Sequence, residues 1–183
     1  MLVLALSASA ARAATYVEEP ALGHWNMGAG VYGGSTVSAD EAPVPLGVAG
    51  VTTGTGYTWE SGLALMACGG FTVRAADDAR SAFAGASTAS VREWSLGLAA
   101  RWTPWPRLEV APFVELGVHS VWLRTDDAAA QGGILSSKLG VRVRLDGFEP
   151  WIAASAEELI VRSSVEKNRS LRAGLAAGIV VDL

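Results

Sequence analysis

The sequence predicts an all-β protein, an eight-stranded antiparallel up-and-down transmembrane β-barrel, on three observations. Segments along the chain alternate apolar with polar or small residues at a period of two, as strands with one oily face do. The opposite face carries charge and glycine at mid-strand, where a soluble barrel would keep apolar groups. Half of the 183 residues are hydrophobic and only 17% are charged, yet no run approaches the roughly 20 apolar residues of a membrane-spanning helix. The 21 glycines fit strands that twist and pack closely, and argue against long helices.

Residues 1–13 read as a secretory signal peptide, with Leu2 to Leu6 as apolar core and Ala11-Arg12-Ala13 as a small-x-small cleavage site. The mature chain is expected to begin at Ala14 with a short tail, 14–22, ahead of the barrel, 23–183. In the first strand, His24 to Ser35, the residues Trp25, Met27, Ala29 and Val31 oppose Asn26, Gly28, Gly30 and Tyr32. A polar stretch, Thr36 to Pro43, ends it. Residues 46–74 form a tight hairpin in which Leu63, Leu65, Ala67, Phe71 and Val73 share a face, and Ala75 to Ala89 is a loop.

The next three strands are the most regular. Trp94, Leu96, Leu98, Ala100 and Trp102 oppose Glu93, Ser95, Gly97, Ala99 and Arg101. Leu108, Val110, Pro112, Val114, Leu116, Val118 and Trp122 oppose Glu109, Glu115, Gly117 and His119. After a loop, Thr125 to Gly132, the residues Leu135, Leu139, Val141, Val143 and Leu145 oppose Ser136, Lys138, Gly140, Arg142 and Arg144. Asp146 to Pro150 is a turn, Trp151 to Arg162 the seventh strand, Ser163 to Arg169 a loop, and Leu171 to Leu183 the eighth strand. Connections thus alternate long and short, with both termini at the short-turn end, as in transmembrane barrels.

The polar faces predict an interior of paired charges. If Trp102 faces Leu108, Arg101 falls opposite Glu109, and the following connection sets Glu115 against Arg142 and His119 against Lys138. The inward charges on this reading are Arg74, Glu93, Arg101, Glu109, Glu115, Lys138, Arg142, Arg144, Glu158, Arg172 and Asp182, with His119 among them. Charges taken out of water must be paired, and eight strands enclose a space that side chains can fill. A salt-bridged plug is therefore expected rather than a polar conduit.

The seven tryptophans, Trp25, Trp59, Trp94, Trp102, Trp105, Trp122 and Trp151, fall at or beside strand ends, as interfacial aromatic belts do. Trp94 and Trp102 are separated by about 26 Å of extended chain, or about 20 Å of height at a tilt of about 40°, close to the roughly 25 Å apolar band of such barrels. Two places break the pattern. The adjacent pair Glu157 and Glu158 suggests a bulge turning both inward, and Pro112 suggests a bulge or bend.

With eight strands, a signal peptide, paired interior charges and the segments Ala111-Pro112-Phe113-Val114-Glu115-Leu116-Gly117-Val118 and Glu149-Pro150-Trp151-Ile152, the chain resembles the small outer-membrane β-barrels of Gram-negative bacteria, of the outer membrane protein A and X type. The resemblance implies residence in the bacterial outer membrane as a monomer, a periplasmic N-terminal tail, and outer-membrane lipid, lipopolysaccharide and the barrel assembly machinery as partners. Members of this family usually end in phenylalanine or tryptophan, whereas this chain ends in Leu183.

Function classes narrow accordingly. The net charge of −4 without a basic patch gives no sign of a nucleic-acid partner, and the single cysteine, Cys68, forms no intramolecular disulfide or cysteine-pair zinc site. Among eight-strand barrels, lipid A deacylases carry a His-x-Ser arrangement on one face. Here His119 and Ser120 are adjacent and point oppositely, and His24 has no serine beside it, so no enzyme, catalytic residue, metal site or cofactor is expected. The acidic pairs Asp40-Glu41, Asp77-Asp78 and Asp126-Asp127 read as solvated loop acids rather than cation ligands. The expectation is a structural or loop-mediated binding role. The alternatives are a lipid-modifying enzyme, a small pore and a soluble lipocalin-like lipid binder.

Overall fold

Eight strands run in chain order, each antiparallel to the next, in the computed structural model, which describes residues 23–37, 47–75, 90–126, 129–162 and 167–183. They are β1 (His24–Val37), β2 (Gly47–Thr58), β3 (Leu63–Ala75), β4 (Ser90–Trp102), β5 (Val110–Arg124), β6 (Ala129–Val143), β7 (Phe148–Arg162) and β8 (Lys167–Asp182). β8 pairs back onto β1, which closes the sheet and removes its edges. The expected signal peptide and tail, and the acids Asp40, Glu41, Asp77, Asp78 and Asp127, lie outside the described residues.

The faces follow the sequence pattern. Leu98, Val114, Leu139 and Leu175 stand exposed on the outer wall, while Arg101, Glu115, Glu93 and Arg172 are buried inside. A lipocalin-like barrel requires the reverse, so that alternative is excluded. Two turns at the end carrying the termini, 59–62 and 144–147, contain the positive-φ residues Gly62 (79°) and Gly147 (80°), a conformation that costs glycine nothing.

Closure needs the strands to tilt and their pairing to stagger. The ladder starting at Asn26 passes through Gly56, Met66, Ala99, Gly117, Ser136, Glu157 and Arg172, and returns to β1 at Thr36. One circuit therefore climbs ten residues, from 26 to 36. This stagger corrects the registers expected from tight turns. Trp102 faces Val114, not Leu108, and Arg101 faces Glu115, not Glu109. Across the next seam Glu115 faces Lys138 and His119 faces Ile134, in place of Arg142 and Lys138. Both shifts are even, so every side chain keeps its face.

Several boundaries also move. β6 begins at Ala129 and β8 at Lys167, so connections 125–128 and 163–166 are no longer than the turns at the other end. Long and short connections therefore do not alternate throughout. Residues 129–132, Ala-Ala-Gln-Gly, lack the apolar contrast that reveals a strand, yet they pair with β5 in full register. No bulge occurs at the two expected places. Pro112 pairs with Val141 beyond the last β4 partner, Trp102 opposite Val114, where an open edge tolerates proline. Glu157 and Glu158 stay in unbroken register, so they point to opposite faces.

Candidate functional site

The lumen holds the chemistry. In its half nearer the termini, one row of the ladder aligns Arg101, Glu115 and Lys138 across β4, β5 and β6. Arg101 donates to Glu115 Oε2 from Nε at 2.9 Å and from a terminal guanidinium nitrogen at 2.7 Å, while Lys138 Nζ donates to Oε1 at 2.6 Å. One buried carboxylate thus answers two cations. The surplus positive charge meets aromatic faces: the Arg101 guanidinium carbon lies 4.6 Å from the Phe113 ring centre and 5.5 Å from that of Trp151, and Lys138 Nζ lies 5.6 Å from Trp151. Below this row, Arg142 pairs with Glu149 and donates to the Pro106 carbonyl at 3.0 Å, which ties the β4–β5 connection into the lumen. Arg144 lies 3.7 Å from Glu149. At the mouth, His24 Nε2 is 2.9 Å from Asp182.

In the half away from the termini, Glu93 of β4 accepts from Arg74 of β3 at 2.6 Å and from both terminal nitrogens of Arg172 of β8 at 2.7 and 3.0 Å. Arg172 also reaches Glu157 at 3.4 Å. β4 and β8 stand opposite each other in an eight-strand cylinder, so this bond crosses the lumen. Capping it is an inward-facing apolar cluster of Val91, Val121, Leu123, Ile134, Leu159 and Val161.

Between the two ionic layers lies a cavity of about 80 Å³, bordered by Cys68, His119, Ser136, Glu93 and Arg101. It has room for several water molecules. His119 Nε2 is 3.2 Å from Ser136 Oγ. The sequence expectation missed this contact because it sought a serine on the histidine's own strand, whereas Ser136 comes from the neighbouring one. No carboxylate orients His119, whose Nδ1 is buried without a hydrogen-bond partner among the described residues. No cluster of metal-ligating side chains occurs among them either.

No protein-family model matches the chain and no curated protein does. Solved structures do. The crystal structure of Neisserial surface protein A superposes at a TM-score of 0.62 with 13% identity, covering 87% of this chain and 97% of that one. The crystal structure of the outer membrane protein OprG from Pseudomonas aeruginosa gives 0.50 with 9% identity, covering 91% and 99%. This chain has the fold of the small outer-membrane β-barrels.

At these identities the likeness is one of fold, and the barrel's oily outer wall agrees with the outer-membrane localisation expected from the sequence. Of the residues expected in the interior network, Arg101, Glu115, His119, Lys138, Arg142, Arg144 and Arg172 lie inside as described. Glu109 sits half-buried ahead of β5, where its carbonyl accepts from the Arg144 amide at 2.7 Å. Glu158 is a correction. It occupies the outward row and pairs with the exposed Arg169, while Glu157 takes the inward place. Glu149 was missed as well, since the expected turn covered it.

Six tryptophans stand on the outside. Trp25, Trp59, Trp102 and Trp105 lie at the end of the barrel that bears the termini, and Trp94 and Trp122 face each other near the far end. Trp151 departs from the expected belt. It is buried in the lumen, edge-to-face with Phe113 at 6.1 Å, in space left by Gly30 and Gly178. Its parity with Glu149 and Glu157 was the available signal. Phe148 is exposed at the same end of β7.

Proposed function

We propose that the protein is a sealed, monomeric outer-membrane barrel, neither pore nor enzyme, whose role is structural or carried by the connections at the end facing away from its termini. The bond from Arg172 to Glu93 carries this reading, because it spans the lumen among fully buried side chains with an apolar layer beyond it. An ion entering from either end meets a carboxylate already satisfied by two cations. The His119–Ser136 pair is enclosed in the lumen with no carboxylate bonded to the His119 ring among the described residues, which supports a non-catalytic role. In this reading the barrel needs no cofactor, and its partners are the surrounding lipid and lipopolysaccharide and the assembly machinery that inserts it. Purified protein in planar bilayers should show no steady conductance, and lipid A from overexpressing cells should keep its mass. Large steady conductance, or a shifted lipid A mass, would overturn the proposal.

A further inference from the structure

On the outer wall, β4 and β5 place two arginines directly opposite each other: Arg92 faces Arg124, both are exposed, and neither has a carboxylate partner among the described residues. Directly opposed like charges on a sheet repel, with Cβ atoms only about 5 Å apart. An anion seated between the two guanidinium groups would relieve that repulsion.

The wall beneath them shows what kind of anion fits. Two residues inward along both strands, Trp94 faces Trp122, and below these indoles come the exposed side chains Leu96, Leu98, Leu116 and Val118. Cation pair, indole pair and apolar strip follow in the order in which a membrane lipid presents phosphate, headgroup and acyl chain. Indoles settle at the headgroup level, and the arginines lie about 7 Å farther out along the strands. Elsewhere on this rim the outward cation Arg169 is already taken by Glu158. The β7–β8 ladder also opposes two cations, Arg162 and Lys167, but two residues inward it places Ile160 opposite Arg169, where the β4–β5 seam places two indoles.

We infer that Arg92 and Arg124 form a clasp for the phosphate of an anionic lipid in the leaflet at the end of the barrel away from its termini, with Trp94 and Trp122 against its headgroup and the leucine strip along its chains. Two planar guanidinium forks suit a phosphate, which accepts paired N–H bonds from each. The inference rests on the proposed outer-membrane orientation, which makes that leaflet the outer one and bisphosphorylated lipid A the natural occupant.

The test uses the full barrel in phosphatidylcholine nanodiscs doped with bisphosphorylated lipid A, with retained lipid counted by native mass spectrometry after release. Wild type should retain lipid A well above phosphatidylcholine, each of Arg92→Gln and Arg124→Gln should lower retention roughly fivefold, and Arg169→Gln should leave it unchanged. Heat-modifiable gel mobility reports that each variant is folded. Unchanged retention in the double variant would overturn the clasp, as would loss of lipid A to millimolar inorganic phosphate, which would mark a free-phosphate site. Conductance of the same preparation is read separately. An open pore would sink the sealed-barrel proposal without touching lipid retention, and failure of the clasp would leave that proposal standing.

Discussion

Arg172 and Glu93 lie 79 residues apart in sequence and on opposite walls of the barrel, yet their side chains meet at 2.7 Å with neither exposed to solvent. The bond pins β8 to β4 through the centre of the molecule. Sheet hydrogen bonds run only between neighbouring strands, so this bond braces the cylinder in a direction that they do not.

Removing that brace should be costly. Arg172→Ala leaves Glu93 with Arg74 alone and Glu157 without its cation, and breaking a buried pair typically costs about 3–5 kcal/mol. Glu158→Ala breaks only the pair with exposed Arg169, worth about 0–1 kcal/mol. Urea midpoints of the heat-modifiable folded band should separate the two variants clearly. Equal midpoints would contradict a buried brace.

Glu115 should matter more than Lys138. Glu115→Gln leaves Arg101 and Lys138 facing one another across a neutral amide, with an expected loss of about 3 kcal/mol. Lys138→Met keeps the two-bond pair between Arg101 and Glu115 and should lose about 1 kcal/mol. Unfolding of the two variants in the same lipid checks the order.

Trp151 should behave as a core residue and the other tryptophans as lipid-facing ones. In single-tryptophan variants, acyl-brominated lipids should quench Trp102 and Trp25 strongly and leave Trp151 nearly unaffected. Trp151→Ala should cost about 3–5 kcal/mol, in the range of large-to-small core changes. Strong quenching of Trp151 would place its indole on the wrong side of the wall.

Two glycines of similar appearance in sequence should tolerate alanine very differently. A Cβ on Gly97 would overlap the Val118 carbonyl oxygen and come within 2.8 Å of the His119 ring, whereas a Cβ on Gly33 meets nothing within 4 Å. Overlap with backbone cannot be relieved by a rotamer change, so Gly97→Ala should lower the folded fraction on insertion into vesicles, with an expected cost of about 1–3 kcal/mol. Gly33→Ala should insert as wild type does.

The alternation of Leu98 with Gly97 and Arg101, and of Val114 with Glu115, settled by itself which side of each strand is oily and that the polar side carries charge. Period two is a local property of extended chain, and no tertiary information is needed to read it. Strand count and the direction of the two faces follow from it. Which charge meets which was decided by the closed sheet alone. Register along a strand is set by the ten-residue climb that closes the cylinder, and an even slip leaves the pattern of faces untouched while exchanging every partner. Arg101 therefore went to Glu115 instead of Glu109, Arg142 to Glu149, and Arg172 to a glutamate on the far wall. Trp151 belongs with these cases. A tryptophan near a strand end suits a lipid interface or a packed lumen equally well, and only the glycines that closure brought around it made room inside.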